Sequence, residues 1–108
     1  IWAVEPENAA ILSGGAIGTH LQMGIGDGLI PDNLNQDIYD DLYLVTDEEA
    51  IQTAKDLARL EGLMCGISSG TNVAAALKLA KKLGPGKTVV TILPDTAERY
   101  FSTPLFQE

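Results

Sequence analysis

Gly66-Ile67-Ser68-Ser69-Gly70 is the most informative segment of this chain. It lies between a short apolar run, Leu63 to Cys65, and an alanine-rich segment, Val73 to Leu83, whose pattern predicts a helix. A strand, a glycine- and serine-rich turn and a helix in this order are typical of α/β folds, which bind ligands at the carboxyl ends of their strands. The two serines could cap the helix, or they could bind a ligand at its electropositive N-terminus.

The same five residues fit the G-x-S-x-G pattern around the nucleophilic serine of α/β-hydrolases. Those enzymes carry their catalytic histidine after the serine. Here the only histidine, His20, precedes Ser68, and nothing after Asp95 could act as the base. A serine hydrolase is therefore the less favoured alternative, and a plain helix cap remains open.

Strands alternate with helices along the chain. We expect a first helix that begins at Thr46, because Thr46 and Glu49 have the spacing of a capping box, and that ends at Gly62. The second helix should end at Gly84, before Pro85. This alternation predicts a parallel sheet with helical crossovers. The expected segments are strands over Ile1–Val4, Leu42–Val45, Leu63–Ile67 and Thr88–Leu93, and a second helix over Thr71–Leu83.

Length and composition exclude several classes of protein. The chain has 108 residues, of which 45% are hydrophobic, and this is enough to build a core. A net charge of −8 with scattered lysines and arginines argues against nucleic-acid and anionic-membrane partners. No apolar run approaches the roughly 20 residues that span a bilayer. One cysteine favours a reducing cytoplasm, and His20 has no neighbouring ligands at metal-binding spacing, so no metal site is expected.

A set of motifs in register resembles the C-terminal portion of the cysteine synthase (O-acetylserine sulfhydrylase) family, pyridoxal-phosphate (PLP) enzymes of the tryptophan-synthase-β-like group. The resemblance runs from end to end, and cystathionine β-synthases share much of the pattern. The motifs are Val4-Glu5-Pro6, Leu12-Ser13-Gly14-Gly15, Gly24-Ile25-Gly26, Leu29-Ile30-Pro31, Glu61-Gly62-Leu63, Gly66-Ile67-Ser68-Ser69-Gly70, Pro94-Asp95, Glu98-Arg99-Tyr100 and Ser102-Thr103.

The resemblance implies a fold and an activity. The expected fold is α/β: a three-layer sandwich with a mostly parallel sheet flanked by helices, part of the larger PLP domain of a fold-type-II enzyme. The family eliminates acetate from O-acetyl-L-serine and adds sulfide to give L-cysteine. Residues 1–108 would form one partial domain, and we expect the natural chain to continue upstream of Ile1. A non-catalytic binding domain of the same fold is the second alternative.

The resemblance also implies site residues and partners. Ser68 would hydrogen-bond the pyridine nitrogen of PLP, Gly24, Ile25 and Gly26 would border the substrate, and Pro94 and Asp95 would lie near the ring's nitrogen edge. The Schiff-base lysine has no counterpart here, so this chain alone is expected to be inactive. The family's lysine after the histidine is replaced by Leu21. Expected partners are an amino-acid substrate, a second copy in a homodimer, and the C-terminal tail of serine acetyltransferase.

Overall fold

A computed structural model describes residues 1–15, 18–22, 25–26 and 28–100. Gly24, one of the residues predicted to contact the cofactor, and the Ser102-Thr103 motif lie outside these ranges. The elements are two strands, two α-helices and two 3-10 turns. They are β1 (Trp2–Pro6), a 3-10 turn (Glu7–Ala9), β2 (Asp41–Val45), α1 (Asp47–Glu61), α2 (Ile67–Leu83) and a second 3-10 turn (Ala97–Tyr100).

The two strands form a parallel pair. Trp2 is in register with Asp41 and Pro6 with Val45. This confirms the two predicted strands, but β1 runs two residues further than expected, into Glu5 and Pro6. The long connection between the strands, residues 7–40, contains the glycine-rich segment, so the sheet directs that segment to the carboxyl end of β1.

Helix α1 begins and ends where its caps predict. Glu49 donates its backbone N–H to Thr46 Oγ1 at 3.1 Å, and the Glu49 carboxylate accepts from the Thr46 backbone N–H at 3.5 Å. Gly62 ends the helix in the left-handed conformation at φ 72°, and its N–H donates to the Ala58 carbonyl. The sequence alone sets both ends because each cap uses neighbouring residues.

Helix α2 begins four residues earlier than predicted, at Ile67, with Gly66 as the N-cap residue. The stretch expected to be a turn is therefore the first turn of the helix. Serine and glycine are poor helix formers, which explains the wrong boundary. Burial of every residue from Ile67 to Thr71 overrides that local preference.

Two predicted strands do not form among the described residues. The chain turns at Leu63–Cys65, where the Cys65 N–H donates to the Leu63 carbonyl, so 63–67 cannot run as a strand. Residues 88–93 join no ladder, and Val90 is 85% exposed. A strand needs a neighbouring strand for its backbone hydrogen bonds, and none of the described segments provides one for 88–93.

Helix α2 contacts both strands and α1, so it lies between the sheet and the first helix. The core is small and rich in alanine, since close helix packing leaves little room for larger side chains. Its buried members are Val45, Ala50, Ala54, Ile67, Ala74, Ala75 and Ala97. In the described ranges, neither helix is both long and apolar enough to cross a membrane.

Candidate functional site

The first turn of α2 presents a buried serine. Ser68 is only 4% exposed, and its hydroxyl makes no hydrogen bond with any residue that the structure describes. The N–H groups of Ile67, Ser68 and Ser69 have no partner within the helix, since Gly70 is the first residue whose N–H bonds back, to Gly66. This turn therefore combines a neutral hydroxyl with the positive end of a helix dipole.

Asp95 lies at the same helix end. The Gly66 N–H donates to the Asp95 carbonyl at 3.2 Å, and Cys65 pairs with Thr96 in an isolated antiparallel bridge. The Ala97 N–H donates to the Met64 carbonyl at 3.1 Å. Two of the predicted elements, the serine turn and the Pro94-Asp95 motif, thus lie together although 24 or more positions separate them. Pro94 itself is exposed and Asp95 is partly buried.

Beneath this turn lies the one cysteine of the chain. Burial raises the pKa of the Cys65 thiol above its ordinary value; the thiol's backbone contacts and the Ser69 hydroxyl oppose this rise, and the Asp95 charge adds to it. The Ser69 hydroxyl is fully enclosed and meets no partner of normal hydrogen-bond geometry in the described part of the chain. Cys65 is 5% exposed and is therefore a small core residue.

Ile25 and Gly26 form the described part of the glycine motif. Gly26 has φ +64°, and a Cβ there would lie 2.7 Å from Pro6 Cγ and 3.0 Å from His20 Nε2. Only glycine fits this combination of backbone angle and close approach. Both residues line a cavity of about 230 Å³ together with Val4, Glu5 and Leu12.

His20 closes this loop. Its Nδ1 accepts a hydrogen bond from the Gln22 N–H at 3.1 Å, so Nε2 carries the proton and donates to the Gly26 carbonyl at 3.1 Å. His20 is therefore a structural residue of the glycine loop. Among the described residues, no group of three or more histidine, cysteine or carboxylate side chains could hold a metal ion.

Sequence reasoning missed Gln22. Its side chain is fully buried, and the amide nitrogen donates to the Val45 carbonyl at 2.9 Å and to Asp47 Oδ1 at 3.1 Å. The amide oxygen accepts from Thr71 Oγ1 at 2.7 Å. No direct hydrogen bond between described residues joins Ile25 or Gly26 to α2, so the link between loop and helix runs through Gln22. All three partners are distant in sequence, and no local pattern predicts them.

Glu5 anchors the preceding loop. Glu5 is 6% exposed, and its carboxylate accepts from the Leu12 N–H at 2.6 Å and from the Ser13 N–H and hydroxyl at 3.2 and 3.1 Å. A buried carboxylate needs such donors to offset the loss of hydration. The Glu5-Pro6 and Leu12-Ser13 motifs are therefore one structural unit at the carboxyl end of β1.

A second, larger groove of about 470 Å³ lies away from these residues. It runs between Trp2, Leu79, Leu83 and the segment 88–91. Trp2 stacks on Tyr43 with ring centroids 5.5 Å apart, and Lys82 Nζ lies 5.6 Å from the Trp2 ring centre. None of the predicted site residues lines this groove.

The comparison with family models decides the family. The model described as "Pyridoxal-phosphate dependent enzyme" matches residues 1–95. The chain belongs to this family. The predicted site residues Ser68, Ile25, Gly26, Pro94 and Asp95 all fall inside the matched range.

Curated relatives agree with this family. The chain is 49% identical over 106 residues to a cysteine synthase of Staphylococcus aureus, covering 98% of this chain and 34% of the relative. It is 54% identical to cysteine synthase B of Campylobacter jejuni, covering 98% and 35%. The chain therefore spans about a third of the length of these relatives.

Solved structures of related enzymes also superpose on this chain. O-acetylserine sulfhydrylase isoform 3 of Entamoeba histolytica superposes with a TM-score of 0.96 at 40% identity, covering 100% of this chain and 32% of that one. An O-acetylserine-dependent cystathionine β-synthase of Helicobacter pylori superposes at 0.87 with 42% identity, covering 97% and 34%. The fold is thus the predicted α/β fold of fold-type-II PLP enzymes.

The described residues fit one end of a PLP molecule. Ser68 is a buried residue whose hydroxyl bonds to none of them, and the missing side chain of Gly26 lets its backbone lie against Pro6 and His20. Lys55 lies within α1, Lys78, Lys81 and Lys82 lie on the last two turns of α2, and Lys87 follows its end. Ser68 and the three lysines of α2 thus lie at opposite ends of that helix.

Proposed function

We propose that this chain is the C-terminal part of the cofactor-binding domain of a PLP-dependent cysteine synthase. The complete enzyme would make L-cysteine from O-acetyl-L-serine and sulfide and release acetate. The single observation that carries the proposal is Ser68 at the start of α2, a residue only 4% exposed whose hydroxyl bonds to no described residue, within a chain 49% identical to a cysteine synthase.

PLP, when bound, withdraws electrons from the bonds around the substrate's α-carbon. In the proposed enzyme, Ser68 hydrogen-bonds the pyridine nitrogen of that ring. A neutral hydroxyl does not hold a proton on the nitrogen as a carboxylate would, and it therefore leaves the ring a weaker electron acceptor. A weaker acceptor favours β-elimination over reactions that need a long-lived carbanion.

The other described residues shape the space around the ring. Gly26, with its neighbour Ile25, borders the substrate and lines the cavity of about 230 Å³, and its missing side chain lets the loop lie against Pro6 and His20. Asp95 and Pro94 border the nitrogen edge of the ring, next to Gly66. These residues bind and orient, and none of them forms a bond to the substrate.

The lysine that holds PLP covalently is proposed to lie outside these 108 residues, as are the groups that bind the substrate carboxylate and the cofactor phosphate. The five lysines of this chain are on α1, at the far end of α2 or beyond it. The chain alone is therefore proposed to be inactive. We further propose a cytoplasmic enzyme that forms a homodimer and binds the C-terminal tail of serine acetyltransferase.

A cystathionine β-synthase activity is the second candidate, and one solved structure favours it. The Helicobacter pylori structure, 42% identical, is named an O-acetylserine-dependent cystathionine β-synthase. An enzyme of that kind would accept a larger thiol in place of sulfide at the same site. The hydrolase alternative gains no support, because no described residue other than glycine has a positive φ, as the strained serine of a nucleophile elbow would.

A chimera tests the proposal. This chain replaces the matching third of the Staphylococcus aureus cysteine synthase, and product formation from O-acetyl-L-serine is measured with sulfide or homocysteine. We expect PLP binding and cysteine formation. Ser68→Ala should slow the reaction about fivefold to tenfold, since one hydrogen bond is worth roughly 1 kcal/mol. Ser69→Ala serves as the matched control and should have the smaller effect.

The outcomes separate the alternatives. Faster turnover with homocysteine than with sulfide would favour the cystathionine β-synthase activity. A folded chimera that binds no PLP would favour a binding domain of the same fold. Labelling of Ser68 by a fluorophosphonate would favour the hydrolase.

A further inference from the structure

Gln22 occupies a position that the proposed reaction does not explain. It is 0% exposed, and all its polar side-chain atoms are engaged by three distant elements: the end of β2, the start of α1 and the first turns of α2. A side chain buried this completely must satisfy each polar atom, and the network does so. The amide orientation follows from its partners, because Val45 O and Asp47 Oδ1 are acceptors and need the nitrogen.

The backbone of Gln22 is tied to the glycine loop. Its N–H donates to His20 Nδ1, and its carbonyl accepts from the Ile25 N–H at 3.4 Å. His20 Nε2 in turn holds the Gly26 carbonyl. A displacement of Gln22 would therefore move both described residues of the glycine motif.

The side chain of Gln22 is tied to the turn that carries Ser68. Thr71 donates to its amide oxygen at 2.7 Å, while the competing contact to the Ile67 carbonyl is longer, at 3.3 Å. Thr71 and Ser68 are three residues apart on α2 and so lie on the same face of the helix. The relay from Gly26 to Ser68 thus passes through His20, Gln22 and Thr71.

We propose that Gln22 is a positioning residue that fixes the glycine loop relative to Ser68, through its hydrogen bond with Thr71. This inference rests on the proposed function, since it assigns to Ser68 the ring nitrogen of PLP. The glycine loop and the Ser68 turn are 40 or more positions apart in the sequence. They need such a connection if together they are to hold a rigid ring at hydrogen-bond distance.

The test is a double-mutant cycle in the chimera, with the equilibrium affinity for PLP as the readout. Thr71→Val removes the hydroxyl and keeps the shape of the side chain, and Thr71→Ser keeps the hydroxyl. We expect Thr71→Val and Gln22→Met each to weaken PLP binding about tenfold. The affinity of Thr71→Ser for PLP should stay within about twofold of that of the unmodified chimera. In the Ser68→Ala background, both losses should shrink to less than about twofold, because the group being positioned is gone.

Two results distinguish a wrong positioning role for Gln22 from a wrong assignment of Ser68. If Thr71→Val weakens binding equally with and without Ser68, the effects are additive and Gln22 has no positioning role. If Ser68→Ala leaves the affinity unchanged, the assignment of Ser68 is wrong and the positioning role falls with it.

A second readout needs no cofactor. In the 108-residue chain, amide exchange at Ile25 and Gly26 should be at least about threefold faster in Thr71→Val than in Thr71→Ser, because the loop loses its attachment to α2. Equal exchange rates in the two variants would overturn the inference independently of PLP.

Discussion

Gly70 lies directly against the backbone of Ala50, where α2 crosses α1. A Cβ built at position 70 would overlap the Ala50 carbonyl oxygen and lie 2.9 Å from the Ala54 nitrogen. Both Ala50 and Ala54 are buried. The glycine of the serine turn is therefore required by helix packing, in addition to any role near a ligand.

Gly70→Ala should destabilise the fold. The obstacle is backbone, which cannot rotate away as a side chain can, so the two helices must separate, at a cost of about 1–3 kcal/mol or more. Urea unfolding followed by circular dichroism measures this. Ala80→Ser, on an exposed position of the same helix, is the control and should change the unfolding free energy by less than about 0.5 kcal/mol. Equal midpoints for Gly70→Ala and the wild type would contradict the packing argument.

Glu5→Gln should release the loop at Leu12 and Ser13. The carboxylate accepts three hydrogen bonds there, and an amide nitrogen in place of one oxygen would face donors. We expect a loss of roughly 1–3 kcal/mol in unfolding free energy. Ser13→Ala removes only one of the three bonds and should cost less. The same urea titration compares the two variants, and the reverse order of stability would refute the anchoring role of Glu5.

Cys65 should react slowly with thiol reagents. Since burial raises its pKa, the thiolate fraction at pH 8 is below that of a free cysteine, and access is restricted as well. Alkylation of Cys65 by iodoacetamide should be at least about tenfold slower than that of glutathione. In urea, which unfolds the chain, the rate should rise to that of glutathione. A rate equal to that of glutathione in the folded chain would show that Cys65 is accessible.

The raised pKa of Cys65 also determines how the free energy of unfolding changes with pH. The folded state favours the protonated thiol, so this contribution to stability is complete below the ordinary cysteine pKa of about 8.5 and is lost as the pH rises above it. Unfolding free energies measured between pH 7 and 10 should fall more steeply for the wild type than for Cys65→Ala. Equal slopes would assign the fall to other groups.

The apolar segment 88–93 should make the isolated chain self-associate. Val90 is 85% exposed and Ile92 is 68% exposed, although their sequence is that of a buried strand. Val90→Lys together with Ile92→Lys should lower the average mass in sedimentation at high concentration. In the control variant, lysine replaces two exposed polar residues elsewhere, Gln52 and Glu61. A wild-type chain that stays monomeric at all concentrations would contradict this expectation.

The ends of the helices show what local sequence can predict. Thr46, Glu49 and Gly62 fix α1, and Gly84 ends α2, because each cap is formed by residues within one turn of the helix end. The start of α2 was wrong by four residues, because burial against α1 outweighed the weak helix propensity of serine and glycine.

The strands were predicted less well for a related reason. A strand is stabilised by a partner elsewhere in the chain, and an apolar run such as 88–93 contains no information about whether that partner is beside it. Val4 and Val45 became strand residues because β1 and β2 pair, whereas the equally apolar Val90 did not.

By itself the sequence determined the family, both caps of α1 and the end of α2, and it predicted the candidate site residues Ser68, the Gly-Ile-Gly motif and Pro94-Asp95. These depend on short motifs whose residues act on their immediate neighbours or on a ligand. Only the tertiary structure decided that Asp95 meets Gly66, that Gly70 must lack a side chain, and that Gln22 joins the glycine loop to α2. The physical reason is that hydrogen bonds and steric contacts between distant segments exist only after the chain has folded.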